Sequence, residues 1–149
     1  MRVALLIGLA VLVIGGGFIA GCLDEVLDPD LDYEVLEVTK NMTSPPPAPE
    51  TAQNGTHFLW VKVRVENQNE NNDLTIAPGF FTVDDNAEIE EEGEFLANEN
   101  ARNIDSIRVD PGLTKEFWVI FRLPDNSTME YIRYKGTLDE PIEKELPDY

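Results

Sequence analysis

Cysteine, histidine and serine are almost missing from this sequence of 149 residues, which has one Cys, one His and only Ser44, Ser106 and Ser127. A single thiol cannot close an intramolecular disulfide. Catalytic zinc needs three protein ligands, and Cys22 and His57 lie in different regions. A Ser-His-Asp triad would require His57 to reach one of three serines in turn-rich sequence, and nothing in the spacing brings them together. His57 therefore reads as a residue at the solvated start of a strand, and the chain reads as a non-enzyme. Positive charge is scarce as well: 11 Lys and Arg stand against 29 Asp and Glu, a net charge of −18. Such a surface repels phosphate, which excludes nucleic acid as a partner. Beyond residue 23 no segment carries a 3.6-residue apolar period, so helices are not expected there.

The one long apolar run is at the amino terminus. No charged side chain occurs from Val3 to Leu23, Arg2 precedes the run, and Asp24 and Glu25 follow it. A basic flank before an apolar stretch is the layout of an export signal. The run ends in Ile19-Ala20-Gly21-Cys22, which resembles the lipobox of prokaryotic lipoproteins. That resemblance implies cleavage before Cys22 and a lipid on its sulfur, with two acyl chains giving stable anchoring. Residues 1–21 would then be signal or membrane anchor, 22–32 an acidic tether, and 33–149 the exported domain. The rival readings are an uncleaved spanning helix, for which about 20 apolar residues suffice, and a pilin-like subunit whose helix packs in a filament core through self-assembly. Gly15, Gly16 and Gly17 weigh against a plain anchor, each costing ~1 kcal/mol relative to Ala in a helix interior.

The exported part alternates in the manner of strands. Leu59, Val61, Val63 and Val65 point one way and Lys62, Arg64 and Glu66 the other, the signature of a half-buried strand over 57–67. Residues 115–123 (KEFWVIFRL) are apolar on both faces, which predicts a central strand. Further strands are expected at 33–40, 74–76, 80–83 and 129–134, with a short one beginning near Ile142, while Ile107 and Val109 lead into a turn. Pro45-Pro46-Pro47-Ala48-Pro49 cannot continue a ladder, so 41–55 is expected as a long stiff loop. Asp110-Pro111-Gly112 marks a turn, with proline presetting φ and glycine accepting φ > 0. The expected fold is all-β: an antiparallel immunoglobulin-like β-sandwich of about seven strands behind an N-terminal apolar signal or anchor helix.

The segments Trp60 to Asn67, Leu74-Thr75-Ile76, Val109 to Gly112 and Phe117 to Pro124 together resemble a domain of unknown function common in secreted prokaryotic lipoproteins. That family is similar to the immunoprotective extracellular antigens with an immunoglobulin-like sandwich. The resemblance covers 33–136 and implies no active site.

Two motif classes remain. Asp84, Asp85, Glu88, Glu90, Glu91, Glu92 and Glu94 form an acidic run without a base. It reads first as a solvated face. Asp84, Asp85, Glu88 and Glu90 are the oxygen ligands a weakly held Ca²⁺ would take, and no other cofactor is expected. Asn41, Asn54 and Asn126 each begin an Asn-x-Ser/Thr sequon in a predicted loop, as N-glycosylation on the exported side requires. The function expected is a non-catalytic binding or cell-envelope role for a lipoprotein at the extracytoplasmic membrane face. It would meet the membrane through its N-terminal lipid or helix, and an envelope or protein partner through loops 41–55 and 84–103.

Overall fold

A computed structural model describes residues 31–85, 89–136, 138 and 140–149. The signal or anchor segment, Cys22 and most of the tether lie outside these residues. Among the described residues no helix is long and apolar enough to cross a membrane.

The described residues form eleven strands and a single 3₁₀ turn. In order they are β1 (Leu31–Asn41), β2 (Thr56–Asn67), β3 (Leu74–Ile76), the 3₁₀ turn Pro78–Phe80, β4 (Phe81–Asp84), β5 (Glu90–Glu92), β6 (Phe95–Ala97), β7 (Asn103–Ile104), β8 (Ile107–Val109), β9 (Thr114–Pro124), β10 (Tyr131–Tyr134) and β11 (Ile142–Glu145). They build a five-stranded sheet, β1-β2-β9-β6-β7, a four-stranded sheet, β11-β10-β4-β5, and the pair β3-β8. Every pairing is antiparallel. The seven expected strands are all present, with β1 starting two residues earlier, inside the stretch expected as tether. The four beyond seven are β5, β6 and β7, in and beside the loop expected at 84–103, and β8, just before the Asp110-Pro111-Gly112 turn.

The sheets pack face to face, as apolar strand faces must to leave water. Leu59, Val61, Val63 and Val65 of β2 and Phe117, Val119, Phe121 and Leu123 of β9 are fully buried, against Phe81, Val83 and Ile132 of the four-stranded sheet. Phe81 is the hub, with ring centroids of Tyr134, Tyr33 and Phe117 at 5.1, 5.6 and 6.2 Å. The Tyr33 hydroxyl crosses between the sheets and shares its proton between the carbonyls of Ile132 and Ile142, at 2.8 and 2.9 Å. Burial raises its pKa well above that of a free phenol, so it stays a donor at any physiological pH.

At one end of the sandwich Asn67, buried, closes β2. Its carboxamide donates to the carbonyls of Val109 and Asn72, and its backbone exchanges bonds with Leu113 and Gly112. The turn Asp110–Leu113 is closed by Leu113 N–H on the Asp110 carbonyl, with Gly112 at φ +68°, as the Pro-Gly pair predicts.

The missed strands have a specific cause. Between β5 and β6 the chain leaves one sheet for the other at Gly93, whose N–H donates to the Phe81 carbonyl while that of Glu94 donates to Ile120 on β9. A Cβ at residue 93 would sit 2.3 Å from the Pro78 carbonyl oxygen, closer than any side chain tolerates, so the crossing needs glycine. β5 is thus the edge of the four-stranded sheet, made of three consecutive glutamates. Charge along an edge blocks pairing with another chain, and Glu90–Glu92 of the acidic run are a strand as well as a charged face.

Candidate functional site

Strand direction gathers the loops of interest at one pole. β1 and β2 are joined there by 42–55, β4 and β5 by 85–89, β9 and β10 by 125–130, and the chain end 146–149 follows β11. Leu31 pairs with Asn67 at the other pole. The eleven residues of β1 separate the two by about 33 Å at 3.3 Å per residue.

The proline loop is ordered by its own bonds. Thr43 bridges Thr51, Ser44 and Glu50 are joined by Ser44 N–H on the Glu50 carbonyl (2.8 Å), and Glu50 N–H donates to the Ser44 hydroxyl oxygen (2.7 Å). The loop does not stand off in solvent. It folds over the outer face of the five-stranded sheet, where Phe58, Trp60, Ala97 and Ile120 form a second small core with Ala52 of the loop. Trp60 Nε1 donates to the Thr43 carbonyl at 3.2 Å, its ring meets Trp118 edge to face at 5.8 Å, and Asn103 N–H donates to Pro46 at 2.7 Å. This explains why β9 is apolar on both faces: one faces the main core and the other lies in this outer cluster. Arg122 clamps the rim. Its guanidinium lies 4.8 Å from the Phe58 ring centre, bonds both oxygens of Glu94 (2.8 and 2.9 Å) and reaches Glu50 at 2.8 Å. These two carboxylates, Glu94 first, raise its pKa further. The tip Pro46-Pro47-Ala48-Pro49 and Met42 are left exposed.

Of the proposed Ca²⁺ ligands, Asp84 already has a cation that the chain supplies. Buried Asp84 pairs with Arg133 Nη1 at 2.6 Å, while Arg133 Nε bonds Glu143 at 2.6 Å. Asp85 accepts from Ile89 N–H at 3.1 Å, and Glu90 is the cross-strand partner of Asp84. Glu88 lies outside the described residues. Among the described residues no three His, Cys, Asp or Glu side chains are grouped to hold a metal ion.

His57 is buried, with only 4% of its surface exposed, contrary to the solvated position expected for it. The β9–β10 turn closes over it, through Asp125 N–H on the Gly55 carbonyl at 2.9 Å, and Asp125 Oδ1 comes within 3.6 Å of Nδ1. Nε2 has no hydrogen-bond partner among the described residues. The Ser127 hydroxyl donates to the Pro124 carbonyl and that of Ser44 accepts from Glu50 N–H, so neither is engaged with the imidazole. Burial, then the charge of Lys40, lowers the His57 pKa below its usual 6.5, against the pull of Asp125. The unfolded chain therefore binds a proton more readily than the native state. Stability is full above about pH 6.5 and declines as the pH drops below it toward the lower native value. Urea unfolding at pH 7 and at pH 5.5 should show this loss in the wild type and a smaller one in His57→Leu. Equal losses in both would remove His57 as the cause.

Of the three sequon asparagines, Asn54 and Asn126 are exposed in turns at this pole, and Asn41 is the half-buried last residue of β1, paired with Phe58.

Comparison with known proteins extends the fold assignment. A family model described as a domain of unknown function (DUF4352) matches residues 23–141. No curated protein matches the sequence. Among solved structures, an uncharacterized β-sandwich protein of Clostridium difficile 630 is similar at 11% identity, over 78% of this chain and 85% of that one, with a TM-score of 0.53. MPT63, a secreted protein of Mycobacterium tuberculosis, is similar at 13% identity, over 78% and 82%, also with a TM-score of 0.53. At these identities the likeness concerns the fold, a β-sandwich.

Proposed function

The chain belongs to the DUF4352 family, and on that premise we propose that it is a non-catalytic lipoprotein of the extracytoplasmic membrane face. Its immunoglobulin-like sandwich is anchored through Cys22 and presents the loop pole to an envelope partner. The observation that carries this reading is the polarity of β1. The strand begins at Leu31, nine residues after Cys22, and delivers the chain to the far pole, where the ordered proline loop and two other connections gather. A lipid at Cys22 would place the first pole toward the bilayer and the loops about 33 Å further out. The secreted nature of MPT63 agrees with export.

Intact mass of the membrane-extracted protein tests the anchor. The expected species begins at Cys22 and carries acyl chains, and Cys22→Ser should leave the membrane fraction unless its apolar run is retained uncleaved. A wild-type species that keeps Met1 would overturn the lipoprotein reading in favour of an uncleaved helix. Regular polymers in the same material would point to a filament subunit.

A further inference from the structure

The three sequons are dispersed in sequence, with 84 residues between Asn41 and Asn126, yet the topology brings all of them to the loop pole. The Asn54 and Asn126 turns are stacked on each other. The first is the β-turn Gln53–Thr56, closed by Thr56 N–H on the Gln53 carbonyl at 3.0 Å with Gly55 at φ +86°. The second is the β-turn Pro124–Ser127, closed by Ser127 N–H on the Pro124 carbonyl at 3.1 Å. Asp125 N–H donates to the Gly55 carbonyl at 2.9 Å, so the two turns form one surface. Each asparagine occupies a central corner of its turn and is exposed. Neither carboxamide bonds another described residue, so substitution at Nδ2 breaks nothing. Side-chain hydroxyls hold both turns in shape, Thr56 on the Gln53 carbonyl and Ser127 on that of Pro124. Asn41 differs. Its backbone is in the β1–β2 ladder, it is half-buried, and the third residue of its sequon, Thr43, is tied to Thr51 and Trp60.

We propose that Asn54 and Asn126 carry N-linked glycans, which make the loop pole a paired glycan surface, and that Asn41 is left unmodified. The inference rests on the export reading above. The donor is a glycan linked through phosphate to a polyisoprenoid, acted on by a transferase at the outer membrane face. The asparagine Nδ2 forms a bond to the anomeric carbon as the carbon–oxygen bond to phosphate breaks. The lipid phosphate departs with that electron pair, and the Nδ2 proton passes to a base of the transferase. No oxidation or reduction occurs.

The test is glycopeptide mass spectrometry on full-length protein from the native cell envelope, with the N-terminal peptide read in the same digest. Expected are glycan masses on the peptides containing Asn54 and Asn126, an unmodified Asn41 peptide, and loss of one glycan each in Asn54→Gln and Asn126→Gln. An exported, lipid-bearing protein with bare Asn54 and Asn126 would overturn the glycan proposal and leave the anchor reading standing. Glycan on Asn41 would overturn the assigned selectivity. Protein recovered only in the cytosol and unmodified would overturn both readings.

Discussion

Replacing Phe81 by alanine is expected to lower the stability of the domain by about 3–5 kcal/mol. The ring is fully buried, and it touches both layers: Tyr33 and Phe117 of the five-stranded sheet and Tyr134 of its own. Three edge-to-face contacts add about 0.5–1.5 kcal/mol each beyond area burial, and no neighbouring backbone can collapse into a gap bounded by two ladders. The domain must hold itself together without a disulfide, since Cys22 is its only cysteine. A globular domain has roughly 5–15 kcal/mol in total, so the variant should be partly unfolded well below the wild-type midpoint. Urea unfolding followed by the fluorescence of Trp60 and Trp118 reads this directly. Phe81→Leu, which keeps most of the volume, should lose much less. A loss below about 1 kcal/mol for alanine, typical of surface sites, would mean that the two sheets do not meet at this ring.

Sequence alternation made most of this core visible, because a period of two identifies which residues of β2 and β9 share a face. β1 was harder to read because its apolar marks, Tyr33, Val35 and Val38, are not evenly spaced. The register explains this: Val35 faces Val63, Glu37 faces Lys62 and Val38 faces Val61, so Leu36 is an extra residue in a bulge. A bulge shifts the period by one and returns Val38 to the inner face. β5 was illegible for a different reason. Three glutamates carry no alternation, and what makes them a strand is pairing with Thr82, Val83 and Asp84 on β4, a tertiary fact. Gly93 was the available signal, a glycine inside a polar stretch where the backbone must pass close to Pro78. At the loop pole, the sequence displayed the proline run and the sequons one by one. Their meeting depends on the β2–β9 pairing of Thr56 with Pro124, contacts between residues too distant in sequence for any local pattern to report. His57 likewise shows its burial only once the turn containing Asp125 is folded over it.

Trp60→Ala is the second large effect, and it should divide into a global and a local part. Trp60 is the centre of the outer cluster, 8% exposed, and is held by its contact with Trp118 and its bond to the Thr43 carbonyl. Removing it should cost about 3 kcal/mol, at the low end for a buried indole, because the loop above can settle where a sheet cannot. The local part is the more informative. Without the indole, the loop is tied down by the Arg122–Glu50 bond, the Pro46–Asn103 bond and Ala52 packing on the sheet, and at its end by the bonds of Thr56 to Gln53 and of Asp125 to Gly55. Ion pairs at this degree of exposure contribute about 0–1 kcal/mol. The loop should therefore open far below the global transition, seen as faster protease cleavage between residues 42 and 55 under native conditions. Trp60→Phe retains most of the ring and loses the N–H, so it should cost about 1 kcal/mol and raise cleavage only slightly. If Trp60→Ala loses stability while the loop stays resistant, the loop is held by its own internal bonds and not by the sheet. If the loop opens as expected, the exposed proline tip owes its fixed position to a tryptophan beneath it. A partner binding there would then meet a surface already ordered, with less conformational entropy to lose on contact.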